Sequence, residues 1–241
     1  MFMLRAGTLD EYIYRQVVEY NEYGLPDNFS LDDIVVDVGA HIGLFAYAAL
    51  KRGAGKVYGI EADVENFEIA QRNLKTFLDE GRMSLTHGAA WRSDCNDDVL
   101  YFQGYPSRGG RINTGGGRVL DKPGGCPVEK INFDTFLLGI TANGRRKLRF
   151  LKLDCEGSEW PILFTSSLLN LVTEISGEIH EARVAGPKTS ASGKSDALSN
   201  EHTLEDLIDL LEHHNFQVKY RPCRSGLPYF ERLGMISALR R

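Results

Sequence analysis

Along this chain, apolar residues gather in short runs that alternate with longer amphipathic stretches. The first run, Ile34 to Val38, is apolar at every position but Asp37, as in a parallel strand buried on both faces. Helical spacing over 43–52, the run "KVYGI" at 56–60, helical spacing over 64–79 and "MSLTHGAA" at 83–90 follow. They predict a helix, a strand, a helix and a third strand with its exit turn. Residues 9–23 also show helical spacing and predict an N-terminal helix beside the sheet, closed by a turn at Pro26, Asn28 and Ser30. Further on, the pattern predicts a helix over 133–140, a strand over 149–154 and a helix with Pro161 in its first turn. A strand over 172–182, a helix over 203–214 and two strands, 216–221 and 231–239, joined by a Pro/Gly turn, complete the chain.

This alternation implies an α/β fold with a doubly wound, Rossmann-like, mostly parallel sheet, to which the closing hairpin adds one antiparallel strand. Two stretches break the rhythm. Residues 93–127 are rich in Gly, Arg and Pro and read as a long loop with at most a short hairpin. Residues 183–200 are small and polar and read as a linker or an active-site lid. The expected division is a helical cap segment at 1–30 and a main domain at 31–241, with substrate or lid loops at 104–118 and 183–200.

Composition narrows the class. The chain has 241 residues, long enough to bury a real core. Its 28 basic and 33 acidic residues leave a net charge of −5, which argues against a nucleic-acid partner. No apolar run approaches membrane-spanning length, and the start turns polar within a few residues, so neither a membrane span nor a secretory signal is expected. Cys95, Cys126, Cys155 and Cys223 lie far apart without a C-x-x-C pair, which favours reduced thiols and a cytoplasmic location. A homo-oligomer is compatible with all of this.

The turn after the first strand reads Asp37-x-Gly39-x-x-x-Gly43, and the second strand ends on Glu61. A dinucleotide turn has the spacing G-x-G-x-x-G, so that its amides approach a pyrophosphate at a helix N-terminus. Here that triplet is absent, and a carboxylate inside the turn would repel a pyrophosphate. It suits a cofactor with an ammonium group and no phosphate; S-adenosylmethionine has that group and a sulfonium besides. The glycines admit close backbone approach, and Glu61 is placed to accept both ribose hydroxyls. Ala89 and Ala90 follow the third strand, where small residues would admit the adenine. The expected cofactor wall is Asp37, Gly39, Ala40, His41, Gly43, Glu61, Ala62, Ala89, Ala90 and Asp154.

A second signature, "FLKLDCEGSEWPIL" at 150–163, carries Asp154, Glu156 and Glu159 at a strand's C-terminal end, the edge where doubly wound sheets bind ligands. Glu159 is also placed to stabilise the start of the next helix. Together "VVDVGAHIGLFA", "GIEA", "LKLDCEGSEWPIL" and "GEIH" resemble the FkbM family of S-adenosylmethionine-dependent methyltransferases, as does "LRAGTLDEYIYRQVVEYNEY" near the start. The resemblance runs from residue 4 to about residue 182. It implies a class I methyltransferase fold and methylation of a hydroxyl on a sugar or natural product. It also implies that Asp37, Gly39, Gly43 and Glu61 bind the cofactor, with Arg5, Thr8 and Asp10 closing over it. His41 departs from the family's frequent asparagine, and Cys155 and Ser158 from its usual small apolar residues.

An aliphatic hydroxyl is a weak nucleophile that needs a base or a metal to draw off its proton. His180 closes the fifth main strand on the functional edge and is the first candidate base. Asp154 and Glu156 are the other catalytic candidates. They could orient the base, bind substrate hydroxyls or join Glu178 around a divalent cation such as magnesium, a question the sequence leaves open. Arg108, Arg111 and Arg118 could recognise an anionic acceptor. Lys152 beside Asp154 admits an RNA 2′-O-methyltransferase as an alternative, which the acidic balance disfavours. The absent Asn/Asp-Pro-Pro-aromatic motif disfavours an adenine N-methyltransferase, and the missing glycine triplet a nicotinamide-dependent reductase. An inactive cofactor-binding module stays open.

Overall fold

The computed structural model of the chain describes residues 2–95, 99–104, 107, 108, 111–180, 202–222 and 232–241. Helix α1 (Asp10–Tyr14) runs into a π-helical turn (Arg15–Glu19). Then come β1 (Ile34–Val38), α2 (Leu44–Lys51), β2 (Lys56–Glu61), α3 (Val64–Asn73), α4 (Lys75–Asp79) and β3 (Met83–His87). The predicted helix 64–79 is thus two helices, parted at Leu74. A middle region follows: β4 (Ala89–Trp91), β5 (Val99–Gln103), β6 (Ser107–Arg108), β7 (Arg111–Ile112), β8 (Arg118–Leu120), β9 (Cys126–Asn132) and α5 (Phe133–Ile140). The chain ends with β10 (Phe150–Leu153), α6 (Glu159–Thr165), β11 (Glu174–His180), a C-terminal helix (Leu204–His213), β12 (Phe216–Pro222) and β13 (Arg232–Arg240).

Seven of these strands make the main sheet, in the order β12-β13-β11-β10-β1-β2-β3. All run parallel except β13, which pairs antiparallel with both β11 and β12. This is the doubly wound, Rossmann-like α/β sheet with a terminal hairpin that the alternation predicts. The two faces of β1 feed two cores. Ile34, Val36 and Val38 pack with Phe133, Trp160 and Leu207 on one side. Val35 packs with Phe45 and Phe150 on the other, where Val17, Tyr23 and Leu25 of the N-terminal segment join the same core.

Residues 93–127 are not the irregular loop expected. With β4 and β9 they supply a second sheet of order β4-β9-β5-β8. Its signal is short: in β5, Leu100 and Phe102 are buried while Val99 and Gln103 are exposed. Glycines that read as flexible punctuation serve close packing instead; a Cβ on Gly125 would lie 1.9 Å from the Phe102 carbonyl oxygen. The predicted third strand also divides at Gly88, leaving β3 in the main sheet and passing β4 to the second, where it pairs with β9. The segment 183–200 and the turn between β12 and β13 lie outside the described residues. Among the described residues, no helix is long and apolar enough to cross a membrane.

The turn after β1 is held against the exit of β10. Gly39 has φ +75°, and a Cβ there would lie 1.9 Å from the backbone carbonyl oxygen of Asp154. Gly24 has a similar φ of +68° with nothing within 4 Å. Gly24→Ala should therefore cost only the left-handed backbone penalty, about 1 kcal/mol. Gly39→Ala adds overpacking and should cost about 3 kcal/mol. Urea midpoints of the two variants measure the difference, and equal losses would show that the two backbones do not constrain each other here.

Candidate active site

At the C-terminal edge of the parallel strands lies a cavity of about 740 Å³. Its first wall is the turn between β1 and α2. The N–H groups of Gly39 and Ala40 both donate to the Ile60 carbonyl at 3.0 Å, and the Gly43 N–H donates to the Ala40 carbonyl. The His41 N–H donates to Oε2 of Glu61 at 2.7 Å, while the Asp63 N–H donates to Oε1 at 2.9 Å. Two backbone amides thus hold the Glu61 carboxylate at the cavity wall, only 6 % exposed. Burial pushes its pKa up to about 7. Each carboxylate oxygen keeps a lone pair for a further donor. The amides that would greet a pyrophosphate in a dinucleotide site are already taken.

Gly39, Ala40 and His41 line this cavity, and so do Ala62, Ala89 and Ala90. Asp37 and Gly43 stand behind its wall. Asp37 is fully buried on β1, in register with Lys152 of β10, and Lys152 Nζ lies 3.2 Å from its Oδ1. The ammonium group that Asp37 faces therefore belongs to the protein, a correction to its expected place beside a cofactor. Gly43 is a packing glycine: a Cβ there would meet the Leu74 side chain at 2.7 Å. Lys152 Nζ also donates to the carbonyls of Val38 and Gly39, at 3.1 and 2.6 Å. Its carboxylate neighbours raise its pKa against the cost of burial, so it is a fixed cation and not a base.

The opposite end of the cavity is acidic. Asp154 follows β10, and its Oδ2 accepts a 2.5 Å hydrogen bond from Tyr23 Oη. Glu156, in the left-handed region at φ +55°, turns its carboxylate toward β11. Glu159 opens α6 fully buried and folds back on the preceding turn, accepting from the amides of Cys155 and Gly157 at 2.8 Å. Glu178 and His180 share one face of β11, where a bulge between Ile179 and His180 shifts the register with β13. His180 is 4 % exposed, with Nδ1 3.1 Å from Glu159. Its Nε2 lies 3.4 Å from Glu178, 3.5 Å from Glu156 and 3.9 Å from Asp154.

These carboxylates hold His180 well above its ordinary pKa even though burial opposes them. Their charges favour the protonated ring, which weighs against the expectation that His180 accepts a proton from a substrate. Beside the ring lies Glu156. Burial and the neighbouring carboxylates push its pKa up to about 8 while His180 opposes the rise.

The N-terminal segment borders the same cavity through Leu9, Tyr12, Ile13 and Gln16. Arg5, Thr8 and Asp10 lie together behind it. Arg5 pairs with buried Asp10 at 2.9 Å and donates to Asn66 Oδ1 at 2.8 Å. Asp10 accepts from Thr114 Oγ1 at 2.6 Å, and Thr114 lies 2.9 Å from His41 Nε2. Burial lowers the His41 pKa to about 4, so its ring is neutral. Arg118 lines the cavity, Arg111 is exposed, and the side chain of Arg108 lies outside the described residues. Sequence reading missed Tyr23, Asn66 and Thr114; their partners are 48 to 131 positions away, and no local pattern marks them.

The model of the methyltransferase FkbM domain matches residues 37–218. The solved methyltransferase FkbM from Methylobacillus flagellatus KT resembles the chain in fold, with TM-score 0.51 and 17 % identity over 93 % of this chain. The chain spans about half, 47 %, of that protein's length. Precorrin-6y C5,15-methyltransferase from Geobacter metallireducens GS-15 is 11 % identical over 99 % of this chain and 93 % of its own, with TM-score 0.48. M. capricolum TrmK, solved with S-adenosyl-homocysteine, is 11 % identical over 92 % and 67 %, with TM-score 0.47. No curated protein matches the chain.

The raised pKa of Glu61 carries a sign. The folded protein holds a proton there between about pH 4.5 and 7 that the unfolded chain has released. Its stabilising contribution is full below that window and is lost as the pH rises through it. The melting temperature of the ligand-free protein should fall from pH 5 to pH 7.5, and Glu61→Gln should make the fall shallower. An unchanged slope in the variant would mean that the carboxylate is well solvated.

Proposed function

The chain belongs to the methyltransferase FkbM family, and from that footing we propose that it transfers the methyl group of S-adenosylmethionine to a hydroxyl oxygen of a small molecule, a sugar or natural-product acceptor. One observation carries the reading: a single cavity has a carboxylate pinned for ribose at one end and a cluster of acids at the other. The wall is rich in acceptors, and its turn amides are taken within the protein. That suits a cofactor with ribose hydroxyls, a sulfonium and an ammonium, and no phosphate.

Glu61 would accept the ribose hydroxyls, Gly39 and Ala40 would bound the methionine portion, and Ala89 and Ala90 would leave room for the base. When bound, the cofactor supplies a methyl carbon whose bond to sulfur breaks, the electron pair going to sulfur, as the acceptor oxygen bonds that carbon. The chain's own contribution is alignment and exclusion of water. Glu156 would accept the acceptor's proton in its ionised form, the state that the neighbouring His180 favours, and His180 and Asp154 would orient the groups around it. Tyr12, Gln103 and Arg118 at the cavity's polar side face the acceptor. A reduced, cytoplasmic setting fits the free thiols of Cys95, Cys126 and Cys155.

Calorimetric titration of the purified protein should show S-adenosylmethionine binding and no NADH binding, with affinity lost in Glu61→Ala. NADH binding alone would overturn the cofactor assignment. With an acceptor found by screening sugar and natural-product alcohols, Glu156→Gln should lower kcat roughly 10²–10⁴-fold, the range for a general base. The cofactor's Kd should stay unchanged in that variant. Methylation of amines in preference to alcohols would sink the oxygen assignment.

A further inference from the structure

We infer that Asp154, Glu178 and Nε2 of His180 form a binding site for one divalent cation of the magnesium–manganese class at the acidic end of the cavity. One carboxylate oxygen from each acid and a ring nitrogen of the histidine all lie within 4.8 Å of one another. Ligands about 2.1 Å from one ion sit at most about 4.2 Å apart, so a small side-chain adjustment lets a single ion reach all three. Two carboxylates with one imidazole form an oxygen-rich set that suits manganese or magnesium better than the thiolate-seeking metals.

Two further observations point to a ligand here. The first is how His180 is held. Its Nδ1 faces Glu159, which is fixed by the amides of Cys155 and Gly157. A carboxylate behind the ring sets the tautomer and aims Nε2 forward, the arrangement that metal-ligating histidines use. Here Nε2 is aimed at Asp154, Glu156 and Glu178 together. The second is Ser158, 2 % exposed, which lines the same cavity with an Oγ that has no hydrogen-bond partner among the described residues. A hydrated cation nearby supplies water to such a hydroxyl. Lys152 cannot fill the role of that cation, because Asp37 and two carbonyls already claim its ammonium.

Binding would release the Nε2 proton of His180 to solvent, since a ligating imidazole is neutral, and all three ligating residues line the cavity, where the ion could meet an acceptor. An acceptor hydroxyl bound there through a lone pair becomes more acidic. Its proton passes to Glu156, and the O–H electron pair stays on oxygen as the nucleophile. In this use the site rests on the methyltransferase reading above; as a cation site it does not.

The test uses the full chain, stripped with chelator, and manganese(II) as probe. Electron paramagnetic resonance reads the free ion, while S-adenosylmethionine binding is titrated separately. One manganese per chain is expected, competed by magnesium and weakened at least about tenfold in Glu178→Gln and in Glu159→Gln, the positioning residue. Circular dichroism checks that both variants fold, and Ser84→Ala, on a main-sheet strand away from the acids, should bind as wild type. Cofactor binding without manganese binding would overturn the cation site and leave the methyltransferase reading standing. Manganese binding unchanged in both acid variants would place the ion elsewhere and overturn it equally. Manganese binding lost in the variants, in a protein that ignores S-adenosylmethionine, would support the site while the cofactor assignment fell.

Discussion

Three oxygens meet the ammonium of Lys152 inside the main sheet: Asp37 Oδ1 and the carbonyls of Val38 and Gly39. Peptide units are rigid planes, so a carbonyl fixed on one side fixes the following N–H on the other. The Val38 carbonyl turned to Lys152 sends the Gly39 N–H to Ile60, and the Gly39 carbonyl sends the Ala40 N–H to the same acceptor. One residue later the His41 N–H meets Glu61. A buried cation on β10 thereby sets the backbone of the β1 turn and, through it, the carboxylate at the tip of β2. Removing one partner of such a buried pair costs about 3–5 kcal/mol, since the other charge is left uncompensated. Asp37 and Lys152 are a unit, and the cavity inherits its shape from them.

That unit shows where sequence reading reaches and where it ends. The main strands and the Glu61 position are legible because hydrophobic period and glycine spacing are local properties. The neutralisation of Asp37 is not, because its partner lies 115 positions along the chain and the pairing depends on strand register. The second sheet was hidden for a different reason. Its strands are three to seven residues long and sit among glycines and prolines, so the alternation is short and interrupted. His180 was legible as a residue at the functional edge but not as a cation, since its charge state is set by four carboxylates from two separate segments.

The cavity's two ends are built on opposite electrostatic principles. Around His41, the Arg5–Asp10–Thr114 network sets a cation against a buried carboxylate, and Asp10 stays ionised: its bonds to Arg5 and Thr114 together hold its pKa down against burial, the largest opposing effect. That end carries its own counter-charge, and it ties the N-terminal segment to α3 and to the loop after β7 through Asn66 and Thr114. At the acidic end the described residues gather differently. Asp154, Glu156, Glu159 and Glu178 face one histidine and the far side of Lys152. Burial, with a smaller push from the neighbouring acids, raises the pKa of Glu156, and the acids raise that of His180 against burial. Such an arrangement costs stability in the free protein and is kept where a ligand relieves it.

This cluster of acids also bears on rate. On the proposed chemistry a sulfonium enters the cavity positively charged and leaves as a neutral thioether. A bare acidic wall would attract the cofactor, and its electrostatic hold would fade as the methyl group moves, which favours the ground state over the transition state. Tighter binding would then accompany slower transfer. A divalent cation among Asp154, Glu178 and His180 removes that conflict. It would offset the charge of the acids and offer its own to the acceptor oxygen, where negative charge develops as the proton leaves. On the same proposal Glu61, elsewhere on the cavity wall and facing an uncharged ribose, would grip cofactor and product alike. The division of labour follows: grip at the β2 tip, where charge does not change, and compensation at the β10 and β11 tips, where it does.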